Sequence, residues 1–471
     1  MAKLVTQDRE TFKVLVVICL SAFLFFNSYG SISVAVPSIQ GYFGVGLAAV
    51  QWVAIIGLVV VSSFSLCFGK AGDLLGRKRL FRIGVVMYAL GSGLAALSPS
   101  FSILLICRAV MTLGLSMAGP MSAGILAVTF PMERRGGVLG WLAASIAVGR
   151  ASGPAVGGLI LQFWGWRGIF LANLIIGLMV SAAVLKVFGG KEERRAEPFD
   201  YLGVATLILG YPSLLIALSL GTNTGWSSPQ IPIWFALFVL GSIGFLATEF
   251  RTENPLIQPV FFKSLPLSST VISLALISAA HYPIYILAPL FMQNVLNLSP
   301  FALGLAATTL PVCTAVVSPL GGRLADRMDS IFLGTLGVCL TLIGIGLYSL
   351  VGVASHYLSV IAALSFIGAG VGFYIPAYQR AAFSTVGKEH YGVISAMFVS
   401  ISLAAGSVGT TASIVLLQGI LRVEGVGSPG AFANAQQYAF SLLLPFGVLA
   451  LLVSLSGKLM ESKKGMKNGN N

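Results

Sequence analysis

The sequence predicts an all-α polytopic membrane protein: two six-helix bundles related by pseudo-two-fold symmetry, plus two extra helices, fourteen crossings in all. Three observations carry this. Hydrophobic residues make up 56% of the 471-residue chain and charged residues only 9%, with a mean hydropathy of +0.93. A soluble domain carries roughly a quarter charged residues. The apolar residues gather into long runs, and a polar motif recurs between runs at long period.

The runs are taken in order as 12–36, 47–69, 81–98, 102–128, 137–162, 168–189, 200–220, 230–249, 269–293, 300–322, 331–352, 357–384, 391–416 and 438–458. Each is long enough to cross a bilayer, for which about 20 apolar residues suffice. Lipid offers no partner for backbone groups, so apolar runs of this length without alternation form helices. The first run is too long for a signal-peptide core, and no small-residue cleavage site ends it.

The recurring motif is Gly69-Lys70-Ala71-Gly72-Asp73-Leu74-Leu75-Gly76-Arg77-Lys78-Arg79, with a degraded copy, Gly322-Arg323-Leu324-Ala325-Asp326-Arg327, about 253 positions later. Pro120, Glu133 and Gly136 likewise match Pro376, Glu389 and Gly392 at an offset of 256. The duplication predicts equivalent bundles over 12–189 and 269–458, with 200–249 inserted as two further helices. Charged or proline-bearing linkers, 191–198 and 251–268, flank the insertion. Duplicated bundles are a common architecture of secondary transporters.

Basic residues set the orientation. With the N-terminus inside, the outer loops hold only Arg167 and Arg422, and Arg108, Arg150 and Arg380 fall within runs, leaving 23 of the 28 Lys and Arg on the inner side. That bias places both termini in the cytoplasm. The expected location is a prokaryotic cytoplasmic membrane. The net charge of +13 is then a topology signal, and a nucleic-acid reading has no domain to carry it.

Other classes lose ground for want of chemistry. The five cysteines lie far apart inside apolar runs, as small packing residues do. No Walker-type Gly-Lys-Ser/Thr run and no metal-spaced cluster occurs, so no cofactor, metal or enzymatic activity is expected. A receptor or scaffold could share the helix count, but would not need arginines facing a cavity or a duplicated gate loop.

The motifs resemble the major facilitator superfamily, specifically its fourteen-helix drug:proton antiporter branch. Gly69 to Arg79 is similar to that superfamily's motif A, Arg108 to the motif B arginine, and Gly149-Arg150-Ala151-Ser152-Gly153-Pro154-Ala155-Val156-Gly157-Gly158 to the antiporter motif C. Val34-Ala35-Val36-Pro37 resembles the end of the first-helix motif, and Phe199-Asp200-Tyr201-Leu202-Gly203 the start of helix seven of that branch. The resemblance implies efflux of small compounds by alternating access, driven by protons, from a chain that works as a monomer among membrane lipids. The branch often carries a first-helix aspartate where this chain has Ser28, beside Asn27. All 15 Asp and Glu fall in loops or at run ends.

Roles follow residue by residue. Gly69, Gly72, Asp73, Gly76 and Arg77, with Asp326 of the second copy, are expected to gate by making and breaking contacts between helix ends. Gly149, Gly153, Pro154, Gly157 and Gly158 are expected to pack helices closely. Arg108 lies deep in its run, at a cost of at least about 2.5–3.5 kcal/mol, so it either faces a cavity or is capped by carbonyls. Arg150 either meets an anionic or strongly hydrogen-bonding substrate or snorkels toward the surface. Asn27 and Ser31, with Ser38, line the cavity or make interhelical contacts. His281, with Tyr282 adjacent and Tyr285 on its face, carries a transported proton or is a hydrogen-bonded packing residue. With no mid-membrane acid, the expected substrate is an anionic or neutral amphipathic molecule. The alternative is a flippase or facilitator for an amphipathic anion or lipid-like molecule, without obligatory proton exchange.

Overall fold

A computed structural model describes residues 2–188, 201–252, 262, 264–353, 355–386, 391–424 and 429–468; within its helices some side chains, including those of Asp73, Glu133 and Asp326, lie outside the described set. The described residues form sixteen helices and no strand: α1 (Ala2–Phe43), α2 (Leu47–Val50), α3 (Trp52–Leu75), α4 (Arg77–Ala96), α5 (Phe101–Thr129), α6 (Met132–Val187), α7 (Tyr201–Thr224), α8 (Gln230–Arg251), α9 (Leu265–His281), α10 (Ile284–Asn294), α11 (Pro300–Arg327), α12 (Ser330–Ser349), α13 (Tyr357–Phe383), α14 (Tyr391–Glu424), α15 (Pro429–Ser441) and α16 (Leu444–Asn468). Polar side chains mark several starts. Ser100 accepts from the Ile103 amide at α5, and Asp329 accepts from the Phe332 amide at 2.7 Å at α12.

Thirteen of the described helical stretches are long and apolar enough to cross a membrane, and one, Trp141–Val187, has 47 residues. That stretch is two crossings. Its first half runs parallel to α1: a Cβ on Gly149 would sit 2.7 Å from the Phe23 carbonyl, one on Gly153 2.5 Å from that of Asn27, and Gly157 abuts Ser31. Its second half runs antiparallel, because Asn173 bonds Ser28 at 2.9 Å and Gly177 faces Leu24. A straight helix would separate Ser152 from Asn173 by roughly 31 Å at 1.5 Å per residue, yet they bond the adjacent residues Asn27 and Ser28. The reversal lies at Gly165, with φ 66° and ψ −175°. Beside it, the Arg167 guanidinium donates to the Ala96 and Ser98 carbonyls, both at 3.2 Å, and stacks on Tyr42 and Trp166. The fourteen expected crossings are thus accounted for.

Two compact units divide the chain. One comprises Met1–Val45, Trp52–Phe199 and Ser299–Thr308. Within it α1 packs along α6, α4 on α5 and α6, and α3 on α5. The α11 start joins this unit because Gly304 meets the Pro154 carbonyl and Gly158 meets Pro300 and Gly304. The other unit comprises Gly46–Gln51, Asp200–Leu298 and Thr309–Asn471. Its main pairings are α12 with α13, α7 with α8, and α9 with α14 and α16. The inserted α7–α8 hairpin belongs to it, with Tyr211 of α7 hydrogen-bonded to Ser407 of α14.

The duplication is legible in the packing. A Cβ on Gly84 of α4 would meet the Gly114 carbonyl of α5 at 2.5 Å, and one on Gly337 of α12 would meet the Gly370 carbonyl of α13 at 2.7 Å. Gly84 and Gly337 are 253 positions apart, Gly114 and Gly370 256. These are the offsets of the two sequence repeats.

Candidate functional site

The motif after α3 builds a sharp corner. Gly76 separates α3 from α4 with φ 97° and ψ 123°, a conformation that suits glycine. Gly72 offers its bare face to Met121 of α5, whereas a Cβ on Gly69 would meet nothing within 4 Å. The Arg77 guanidinium leans toward the Gly124 carbonyl of α5 at 3.5 Å. The side chains of Asp73 and Asp326 lie outside the described residues. The corner therefore joins α3, α4 and α5, and Arg77 belongs to that contact.

Arg108 of α5 is 2% exposed. Its Nε and Nη2 both donate to the Val53 carbonyl of α3 at 3.2 Å, and its Nη1 lies 3.4 Å from Met111 Sδ. Of the two expected arrangements, the carbonyl-capped arginine is the one present. Thr112, on the same face, returns its hydroxyl to the Arg108 carbonyl at 2.9 Å. This chemistry positions α3 against α5 and leaves little of the guanidinium for a ligand.

Arg150 is different. It is exposed, and its guanidinium lies over the Phe26 ring, 4.6 Å from the centroid. Gly149, Gly153 and Gly157, one turn apart, seat this half of α6 on α1, while Pro154 packs against Gly30. Arg150 is thereby held beside α1 with its charge open. Asn27 and Ser31 do not line an open wall. Asn27 is 9% exposed and donates to Ser152 at 2.9 Å. Ser31 is 2% exposed and its hydroxyl reaches the Gly153 carbonyl at 2.8 Å. Both are interhelical contacts.

In the second unit His281 ends α9 and is 2% exposed. Its Nδ1 lies 2.9 Å from the Ile277 carbonyl. A carbonyl only accepts, so in neutral His281 this bond puts the hydrogen on Nδ1 and leaves Nε2 as the acceptor nitrogen. Tyr282, Tyr285 and Tyr374 surround it, with ring centroids 4.8, 6.3 and 6.3 Å away. Tyr282 lies flat on Gly406 of α14, where a Cβ would sit 2.5 Å from the ring. Tyr374 was not singled out in the sequence. Its repeat one turn on, at Tyr378, was the available signal.

The profile of the Major Facilitator Superfamily matches residues 18–410. This chain belongs to that superfamily. Its members are transporters, not enzymes, and this one is a multi-pass membrane protein. It is 28% identical over 419 residues to the multidrug resistance protein Stp of Mycobacterium tuberculosis, covering 88% of this chain and 76% of that relative. It is 25% identical over 425 residues to the multidrug transporter protein MdtP of Bacillus subtilis, covering 90% and 78%. A riboflavin transporter, RibZ of Clostridioides difficile, is 27% identical over 325 residues, covering 68% and 69%. Among solved structures, a bacterial homolog of the human lysosomal transporter Spinster, inward-facing and unoccupied, superimposes with a TM-score of 0.68 at 17% identity, covering 95% of this chain and 97% of that one. The peptide transporter POT in complex with sulfate gives 0.70 at 15%, covering 95% of each. These two share the superfamily fold.

Proposed function

We propose that this transporter exports small anionic or neutral amphipathic compounds from a prokaryotic cytoplasm, exchanging them for protons by alternating access, as a monomer with both termini inside. The relatives named for multidrug resistance, matched over most of the chain, support efflux. The observation that carries the substrate class is Arg150: an exposed guanidinium held over an aromatic ring, in a span without a carboxylate. An anion offsets that charge in a low-dielectric site, and a permanent cation is repelled. The acceptor Nε2 of neutral His281 supports proton exchange, because an imidazole takes up a proton at that nitrogen. Asp73 and the corner at Gly76 are assigned to the gate.

Binding across a matched series of anionic, neutral and quaternary-cation analogues tests the substrate class. Arg150→Gln is expected to weaken the anion by about 10-fold, or 1.4 kcal/mol, and the neutral analogue far less. Tightest binding by the quaternary cation, with no loss in Arg150→Gln, refutes it. His281→Ala is expected to retain binding and lose the dependence of transport on a pH gradient. The similarity to a riboflavin transporter favours a second reading, a facilitator for one compound class, which moves its substrate equally fast with and without the gradient.

A further inference from the structure

The two copies of the loop motif form corners that are built alike and furnished differently. In the first unit Met121 of α5 lies against Gly72, and the Arg77 side chain crosses from α4 to Gly124, where a Cβ would sit 3.2 Å from its Nη1. At the repeat offsets of 253 and 256, the second unit has Ala325 for Gly72, Ala377 for Met121, Ser330 for Arg77 and Arg380 for Gly124. Ala325 and Ala377 still pack together, with Leu333. Two long side chains have become short ones, and an arginine now rises from the opposite side of the corner, on α13. Here the second unit has a cavity of about 840 Å³, with Ala325, Ser330 and Arg380 in its wall.

The chemistry of that wall suits an anion. Arg327, in the last turn of α11, and Arg380, in the last turn of α13, both line the cavity and both are exposed. Gln379 adds an amide. Helix α12 begins in the wall, at Ser330 and Ile331, and brings the positive end of its dipole there. The acid among the described lining residues, Asp329, is already engaged: its Oδ1 accepts the Phe332 amide at 2.7 Å. The Ser330 and Ser384 hydroxyls turn to the Ala325 and Ala381 carbonyls. Two guanidinium forks therefore dominate what a ligand meets, and such forks match the oxygens of a phosphate.

The surroundings point to a lipid. The candidate spans Pro300–Ala325, Ser330–Ser349 and Tyr357–Phe383 each have an end at this corner. Met328, in the wall, is 45% exposed, and Phe332 beside it is 41% exposed. Lys458 of α16 lies over the Phe332 ring, 4.1 Å from its centroid. Cations set beside exposed apolar side chains at the ends of membrane helices meet a charged headgroup and its acyl chains together. A soluble phosphate compound would use the arginines and leave the apolar rim uncovered.

We propose that this cavity binds the phosphate of an anionic phospholipid, with Arg327 and Arg380 on its oxygens and the acyl chains along Met328 and Phe332. The bound lipid fastens the ends of α11, α12 and α13 to one another. The site lies within the second unit and goes beyond the exporter reading.

The test uses the purified full chain in detergent and native mass spectrometry, with phosphatidylglycerol, phosphatidylcholine and inorganic phosphate as probes. Phosphatidylglycerol is expected to bind more tightly than phosphatidylcholine. Arg327→Gln and Arg380→Gln are each expected to weaken it at least about 10-fold, the size of one charged hydrogen bond. Ser330→Phe, which narrows the cavity at constant charge, should weaken it as well. Arg323→Gln removes the same charge from an exposed arginine outside the lining and should leave binding unchanged. Equal loss in Arg323→Gln, or undiminished binding in Ser330→Phe, would mean diffuse attraction rather than a cavity and overturns the site. Wild-type binding by both lining-arginine variants, or equal affinity for phosphatidylcholine, overturns it too. Inorganic phosphate that binds tightly and excludes the lipid would make the ligand a soluble phosphate compound and defeat the lipid assignment. If Arg380→Gln does not fold, Arg327→Gln and Ser330→Phe decide by the same readout. No transported compound enters the measurement, so failure of the exporter reading leaves it standing.

Discussion

Arg108 places two guanidinium nitrogens on the single carbonyl of Val53. Only a planar fork does this; an ammonium presents one point charge. Arg108→Lys is therefore expected to cost about 1.5–3 kcal/mol, the range for hydrogen bonds to charged groups, read as lowered thermal stability in detergent. An unchanged melting curve would show that the carbonyl cap contributes nothing. Arg150, four helical turns from the bend at Gly165 and exposed over Phe26, should behave oppositely. Its removal forfeits about 0.5–1 kcal/mol of exposed cation–π contact, and the effect belongs in ligand binding.

At the scale of elements, the doubling back of α6 depends on one residue. At φ 66° and ψ −175° Gly165 occupies a region nearly closed to side-chain-bearing residues. Gly165→Ala is expected to cost about 1–3 kcal/mol and to reduce the yield of monodisperse protein. Recovery equal to wild type would mean the hairpin is set elsewhere. The glycine row against α1 makes a paired comparison. A Cβ on Gly153 would sit 2.5 Å from the Asn27 carbonyl, while one on Gly69 would meet nothing within 4 Å. Gly153→Ala should therefore destabilise the first unit, and Gly69→Ala should stay within about 0.5 kcal/mol. Equal behaviour of the two variants would contradict close helix approach as the reason for the motif.

For the whole molecule, the proposed even number of crossings returns the C-terminus to the side of the N-terminus, and the surplus of lysines and arginines expected on that side predicts that it is the cytoplasm. A fluorescent protein that matures only in the cytoplasm should glow at either terminus. A phosphatase that works only outside should be active when fused after Arg167 and silent at both ends. Phosphatase activity at the C-terminus would mean an odd count, and the reading of Trp141–Val187 as two crossings would fail.

The sequence by itself determined the class, the crossings and the duplication, because a bilayer imposes length and apolarity on every span and each loop keeps its charge. The family followed from motifs in which glycine and proline leave a signature independent of fold detail. Side-chain destinations were decided only by tertiary structure. Asn27, Ser31 and Arg108 are polar groups in apolar runs, and sequence cannot say whether such a group meets water, a ligand or a neighbouring helix. The fold put a carbonyl or hydroxyl from another helix within reach of each. The bonded hydroxyls of Ser273, Tyr378, Ser454 and Thr335 were invisible for the same reason: they come from four helices spread over more than a hundred residues. Periodicity reports which face of one helix is polar, and only packing reports which faces meet.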